Sequence, residues 1–211
     1  MSLVLEQDYL RTQGLRLSAE TVRMAHLAAR AVMDLGQAEI DREVLWAFEG
    51  ADYLCRSEEN GRALKQVFMA LDTACERVRL QTAAVYVLNP EHEVLFCIVR
   101  RGLPIETVLP VSDIAEEQFL AVRTAKTGWL NLIDDVAAWN DMPSAALRCG
   151  GVMSLPVCLE SGRVLGVLHV EAERAGMFDE ESQALWVGLA LALTEPLKVL
   201  SGVGEQSGDD E

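Results

Sequence analysis

The chain is short of positive charge, of histidine and of long apolar runs, and each shortage narrows what it does. Eighteen basic residues face 33 acidic ones, giving a formal net charge of −15 and a sequence pI near 4.6. A field of that sign repels phosphate backbones and anionic lipid, so neither nucleic acid nor a membrane is expected as a partner. The acidity serves solubility and still leaves room for a local basic pocket. The closest approach to a membrane span, Ala184–Leu193, is about half the required length. Glu6 and Asp8 stand where a secretory leader would carry its basic and apolar regions, so a cytoplasmic chain is expected. The five cysteines (Cys55, Cys75, Cys97, Cys149 and Cys158) include no C-x-x-C pair and no Cys/His cluster with zinc spacing. Ser-His-Asp order, a Gly-rich phosphate loop and internal repeats are also missing, so no metal site or hydrolytic machinery is expected.

What is there is apolar: half of the 211 residues, with a mean hydropathy of +0.15, enough for a sizeable core. The first 17 residues have no clear period and read as an arm or short helix. Ser18 caps a helix over Ala19–Leu35, in which Val22, Ala25, His26, Ala29, Val32 and Met33 share one face, and Gly36 ends it. A short helix is expected across Asp41–Gly50. Ser57–Leu80 carries Leu64, Val67, Phe68, Leu71, Ala74, Cys75 and Val78 as one stripe, an amphipathic helix of about six turns.

The period then changes. Thr82–Leu88 and Val94–Val99 are β-branched and aromatic around the turn Asn89-Pro90-Glu91-His92, which predicts a hairpin. Ser112 or Asp113 caps a helix through Ala125, with Ile114, Phe119, Val122 and Ala125 inward, stopped by Thr127-Gly128. Trp129–Leu132 is a short strand and Asp134–Leu147 an irregular loop. Val152–Leu159 and Val164–Ala172 form a second hairpin, with Gly166 marking a bulge or a close backbone approach. Asp179 caps the last helix, which runs to about Leu200 with Pro196 as a kink point. An acidic, disordered tail, 201–211, follows.

Hairpin-joined strands between helices define an α+β layered domain with an antiparallel sheet. Within that order, Ser154–Leu197 (SLPVCLESGRVLGVLHVEAERAGMFDEESQALWVGLALALTEPL) resembles the C-terminal half of a GAF domain. The family shows there a strand with a central proline, a Gly-containing turn, a G-V-L strand, an aromatic beside acidic residues, and a Leu/Ala helix. Ala84–Leu88 with Arg101-Gly102, and Ala121–Gly128 with Asn131–Val136, match earlier landmarks. The resemblance covers Glu58–Leu200, roughly two-thirds of the chain. It implies a profilin-like, five- or six-stranded antiparallel sheet with terminal helices packed on one face. It also implies a domain over 56–200 with a helical extension, 1–55, before it.

The resemblance further implies a small-molecule pocket on the other face, covered by the Asp113–Lys126 helix and the Asp134–Leu147 loop. Its floor would be the region of Val85, Tyr86, Phe96, Met153, Ser154 and His169, of which strand alternation admits about half. Phe119, Trp129, Asp135, Trp139 and Cys149 are further pocket candidates, the tryptophans as stacking surfaces. A cyclic nucleotide is disfavoured, because Glu173-Arg174 replaces the Asn-Lys of that subgroup and Phe178-Asp179-Glu180 lacks its spacer. His169 is of the type that holds haem iron, but a core histidine on a half-buried strand is the commoner role, so haem is not expected. A family branch reduces free methionine sulfoxide with cysteines; Cys149 lies in the right neighbourhood, but Val111–Leu120 has no partner thiol.

The expectation is a sensory, signalling module that binds an unidentified small molecule. It would act through its terminal helices on a signalling protein or on a second copy. Ala19–Leu35 and Ala184–Leu193 would be the homodimer surfaces, because their apolar residues exceed what one core face needs. The alternatives are a ligand-free scaffold and a methionine sulfoxide reductase.

Overall fold

The structure is a computed structural model that describes residues 3–36, 39–78, 80–139 and 148–202. The acidic tail from 203 onward and most of the Asp134–Leu147 loop (140–147) lie outside the described residues. Strands β1 (Thr82–Asn89), β2 (Val94–Gly102), β3 (Val108–Pro110), β4 (Asn131–Ile133), β5 (Gly151–Cys158) and β6 (Val164–Ala172) form one antiparallel sheet. Its order is β3-β2-β1-β6-β5-β4, so the two hairpins meet at β1 and β6 in the middle. Gly166 permits that meeting, since a Cβ there would lie 2.1 Å from the Tyr86 carbonyl oxygen.

Alternation divides the sheet into two chemically different faces. Ala83, Val85, Val87, Met153, Leu155, Leu168, Val170 and Ala172 point to one side and join a single core with the long helices. That helical layer holds α1 (Val4–Thr12), α2 (Ala19–Leu35), α3 (Arg42–Leu45), α4 (Glu58–Arg77), α7 (Glu180–Ala192) and α8 (Thr194–Leu200). On the opposite face α5 (Asp113–Gln118) and α6 (Leu120–Thr127) cover Ala84, Tyr86, Leu95, Cys97 and Val167.

Five α-helices start on capping oxygens: Ser18, Ser57, Ser112 and Asp179 each accept from a backbone N–H three residues on, and Asp41 accepts from one two residues on. Ser112, not Asp113, caps α5. The helix expected through Ala125 breaks at Phe119, which is extended (φ −127°, ψ 119°) and turns its half-buried ring onto the second core. The last helix also breaks. α7 and α8 bend by 42° at Leu193, where the Pro196 ring can neither donate to nor pass the carbonyl of residue 192. Strand β3 is an addition that the sequence did not announce; it has three residues and ends on a proline.

α7 corrects the expectation of a dimer surface at Ala184–Leu193. Its residues are apolar all round because they are covered all round: Ala184, Trp186, Val187, Leu189 and Ala190 are all buried between the sheet and α2. Of the run only Leu185 is half-buried rather than buried, too little to make a dimer surface. On α2, Met24, Leu27 and Leu35 are exposed. Among the described residues no single helix is long and apolar enough to cross a membrane.

α2 and α7 pack tightly at Gly188, where a Cβ would stand 2.6 Å from both the Ala25 Cβ and the His26 backbone nitrogen. Gly188→Ala is therefore expected to cost about 2 kcal/mol in urea unfolding, as overpacking does. Gly61→Ala on α4, with open space around it, is expected to stabilise by about 0.5 kcal/mol.

Candidate functional site

The face under α5 and α6 is the one with polar chemistry at its centre. On β6, Val167, His169 and Glu171 alternate with the core residues Leu168, Val170 and Ala172, which sends the first three to this side. His169 lies in register between Ala84 of β1 and Ser154 of β5. Ser154, His169 and Glu171 are 0%, 7% and 2% exposed, so none is satisfied by bulk water.

Arg148, just ahead of β5, answers the buried carboxylate. Its Nη2 donates to Glu171 Oε2 at 2.7 Å and to Oε1 at 3.0 Å, and its Nε to Oε1 at 3.3 Å. Its Nη1 donates to the Pro104 carbonyl at 2.6 Å, so one guanidinium ties the sheet centre to the β2–β3 loop. His169 Nε2 lies 3.4 Å from Glu171 Oε1. At this centre two buried polar atoms have no partner among the described residues, His169 Nδ1 and Ser154 Oγ; away from it Glu6 Oε2, Ser182 Oγ and Trp186 Nε1 are in the same state. Beside them, Tyr86 Oη donates to the Glu106 carbonyl at 2.7 Å.

Burial pushes the Glu171 carboxyl up, but the His169 hydrogen bond and the Arg148 guanidinium outweigh it and hold the group below the usual carboxylate range. Burial has the opposite consequence for the thiols. Cys149, next to Arg148, and Cys97 are pushed up to about 12, and Glu171 adds to the rise at Cys149. Cys75 and Cys158 are pushed up to about 11. Among the described residues no His/Cys/Asp/Glu group is arranged to hold a metal ion.

The structure brings together four of the residues singled out in the sequence: Tyr86, Cys149, Ser154 and His169. Phe119 is half-buried at the margin of the same face. Phe96 and Met153 point into the helical layer instead, with Phe96 stacked on Tyr53 at 5.3 Å and on Phe48 at 6.5 Å. Trp129 and Trp139 are more than half exposed. Asp135 accepts from the Ala137 N–H at the start of the turn Val136–Ala138. Glu171 and Arg148, the strongest pair of the site, were not among the candidates. The signal for Glu171 was a charge in the interior of an otherwise apolar strand, two residues beyond His169. Nothing local marked Arg148.

A hollow of about 290 Å³ opens where α6 ends, lined by Leu88, Pro90, Ala125, Lys126, Arg163 and Val164, and one of about 20 Å³ lies between α2, α4 and α7. Neither is lined by Ser154 or His169.

A six-stranded antiparallel sheet in this order, with long helices on one face and short ones over a polar centre on the other, is a GAF-type architecture. The family profile described as GAF domain matches residues 69–194, more than half of the chain, and the chain belongs to the GAF domain family. Among solved structures, free methionine-R-sulfoxide reductase from Neisseria meningitidis, in complex with its substrate, superposes with a TM-score of 0.58 and 17% identity, covering 90% of this chain and 99% of that one. The type II enzyme from Thermoplasma acidophilum gives 0.58 and 14%, covering 68% and 97%. The GAF domain of an Acinetobacter phosphoenolpyruvate-protein phosphotransferase gives 0.57 and 11%, covering 85% and 96%. At these identities the likeness is one of fold. A comparison with curated proteins finds no significant match.

The depressed Glu171 carboxyl makes stability depend on pH. A carboxyl lower in the folded than in the unfolded chain contributes fully above its unfolded value and loses that contribution as pH falls through the folded one. With an unfolded glutamate near 4.3, urea-unfolding stability is expected to hold above about pH 5 and to fall below about pH 4. Glu171→Gln should be less stable than the wild type at pH 7 and should show a shallower acid loss.

Proposed function

We propose that the chain is a regulatory module that binds a small molecule over the Ser154–His169–Glu171 centre and passes the change to its terminal helices. The observation that carries this is the pair of orphaned buried atoms, Ser154 Oγ and His169 Nδ1, beside a charged pair at the middle of the sheet. An unpaired buried polar atom costs about 1–3 kcal/mol, and a site that a ligand completes accounts for carrying two of them.

A route to the helices leaves from the cover of that face. Gln13 Nε2 donates to the Gly128 carbonyl at 3.0 Å and Gln13 Oε1 accepts from Leu130 N–H at 2.5 Å, so the chain just past α1 grips the link between α6 and β4. Within α1, Glu6 meets His26 of α2 at 3.0 Å in full burial. A ligand that binds more tightly to one position of α6 than to another therefore shifts α1 and α2 as well. The exposed apolar residues of α2, Met24, Leu27 and Leu35, supply the surface for a second copy of the chain or a signalling protein.

A second reading, reduction of free methionine sulfoxide, draws on Cys149 beside the same site and on the reductases of like fold. Against it, a thiol pushed up to about 12 is almost wholly protonated at neutral pH. Native mass spectrometry of the purified chain is expected to show a retained small molecule that Ser154→Leu, which fills the site, displaces. A bare spectrum, with no stabilisation across a metabolite panel, contradicts the regulatory reading and leaves a scaffold. Incubation with free methionine sulfoxide and dithiothreitol is expected to give no methionine above the uncatalysed rate. Turnover abolished by Cys149→Ser establishes the enzyme instead.

A further inference from the structure

We propose that the Arg148 guanidinium is an internal stand-in for the ligand, and that the subsite of Glu171, His169 and Ser154 takes a small ammonium or guanidinium compound that displaces it. This rests on the reading of that face as a ligand site and names the chemistry it selects. The subsite is rich in acceptors. Glu171 offers only acceptor oxygens when charged. His169 turns Nε2 towards that carboxylate at 3.4 Å, and Nδ1 has no partner; in the neutral ring protonated on Nε2, Nδ1 is an acceptor. Ser154 Oγ, on the strand position directly across from His169, adds two further lone pairs and one proton.

Such a set discriminates among ligands. An anion placed there faces the Glu171 carboxylate. An apolar compound leaves Ser154 and His169 as unpaired as they are now. A compact cation with several N–H groups serves the carboxylate and has N–H groups left for the neighbouring polar atoms, and Arg148 already supplies that chemistry to Glu171.

The two partners of the ion pair differ in exposure and in where they are rooted. The Glu171 side chain is 3% exposed and rooted in the middle of the sheet, whereas that of Arg148 is 38% exposed and comes from outside any strand. Arg148 can swing out without opening the sheet, and an incoming cation keeps the buried carboxylate paired throughout. The chain's net charge of −15 favours the arrival of a cation over an anion.

Isothermal titration of the full chain with methylguanidinium at low ionic strength, with sodium acetate and sodium chloride as controls, tests this. The wild type is expected to bind methylguanidinium, and Arg148→Ala to bind it at least tenfold more tightly because the competing group is gone. Ser154→Ala should weaken binding several-fold, and Arg148→Ala with Glu171→Gln should abolish it. If Arg148→Ala does not fold by itself, recovery of the native fold in millimolar methylguanidinium but not in equal sodium chloride supports the proposal, and no recovery overturns it. Equal affinity in the wild type and Arg148→Ala, or binding that survives Glu171→Gln, also overturns it. An anionic or uncharged compound whose binding Ser154→Ala weakens overturns the cation inference while the ligand-sensing reading stands. Absence of binding by every class removes both.

Discussion

A carboxylate buried in the middle of a β-sheet has to be paired, and much of this molecule is arranged around that requirement at Glu171. Left alone in a low-dielectric interior the group would be driven neutral or would unfold its strand. Arg148 and His169 prevent that, and the consequences spread outward. The Arg148 guanidinium also holds the Pro104 carbonyl, so the β2–β3 loop is drawn to the same point. Two residues on, the Gly150 N–H donates to the Ala172 carbonyl and its own carbonyl accepts from Val136 N–H, which fixes the chain ahead of β5 along the end of β6. Gly150 is the residue that fits there, since a Cβ would fall 2.4 Å from the Arg174 backbone.

The other face is held mainly by apolar side chains, with one buried polar pair, Glu6 and His26, between α1 and α2. Trp186, Leu189 and Leu193 of α7 and its end are fully buried, and each such side chain is worth about 1.5–3 kcal/mol on removal from water. This division of labour suits a regulatory domain. Stability comes mainly from this apolar layer, which lets the fold withstand the cost of unpaired atoms on the polar face. The N-terminal extension then connects the two, because α1 and α2 belong to the helical layer while Gln13 grips the backbone that covers the site.

Much of this was legible in the sequence wherever the signal was local. Capping serines, the Asn89 turn, both hairpins, the amphipathic stripe of α4 and the kink near Pro196 are short-range chemistry. Face assignment was not. Val94–Val99 and Val152–Leu159 are almost wholly apolar, as strands buried on both sides must be, so parity gave no means of putting Phe96 and Met153 on the helical side. The same ambiguity made α7 look like an interface: a helix apolar all round reads alike whether another chain or the same chain covers it. At the site, Ser154 and His169 stood out as polar residues in apolar strands. The pairing of Glu171 with Arg148 spans 23 residues and has no periodic trace.

Glu171 is charged inside the sheet because Arg148 and His169 keep it so. Carbon-detected NMR titration of the Glu171 side-chain carboxyl in the full chain measures this directly. The wild-type carboxyl should titrate below the ordinary glutamate value of about 4.3, and in Arg148→Ala its midpoint should move upward as burial meets less opposition. A wild-type carboxyl that titrates at or above the ordinary value would contradict the account.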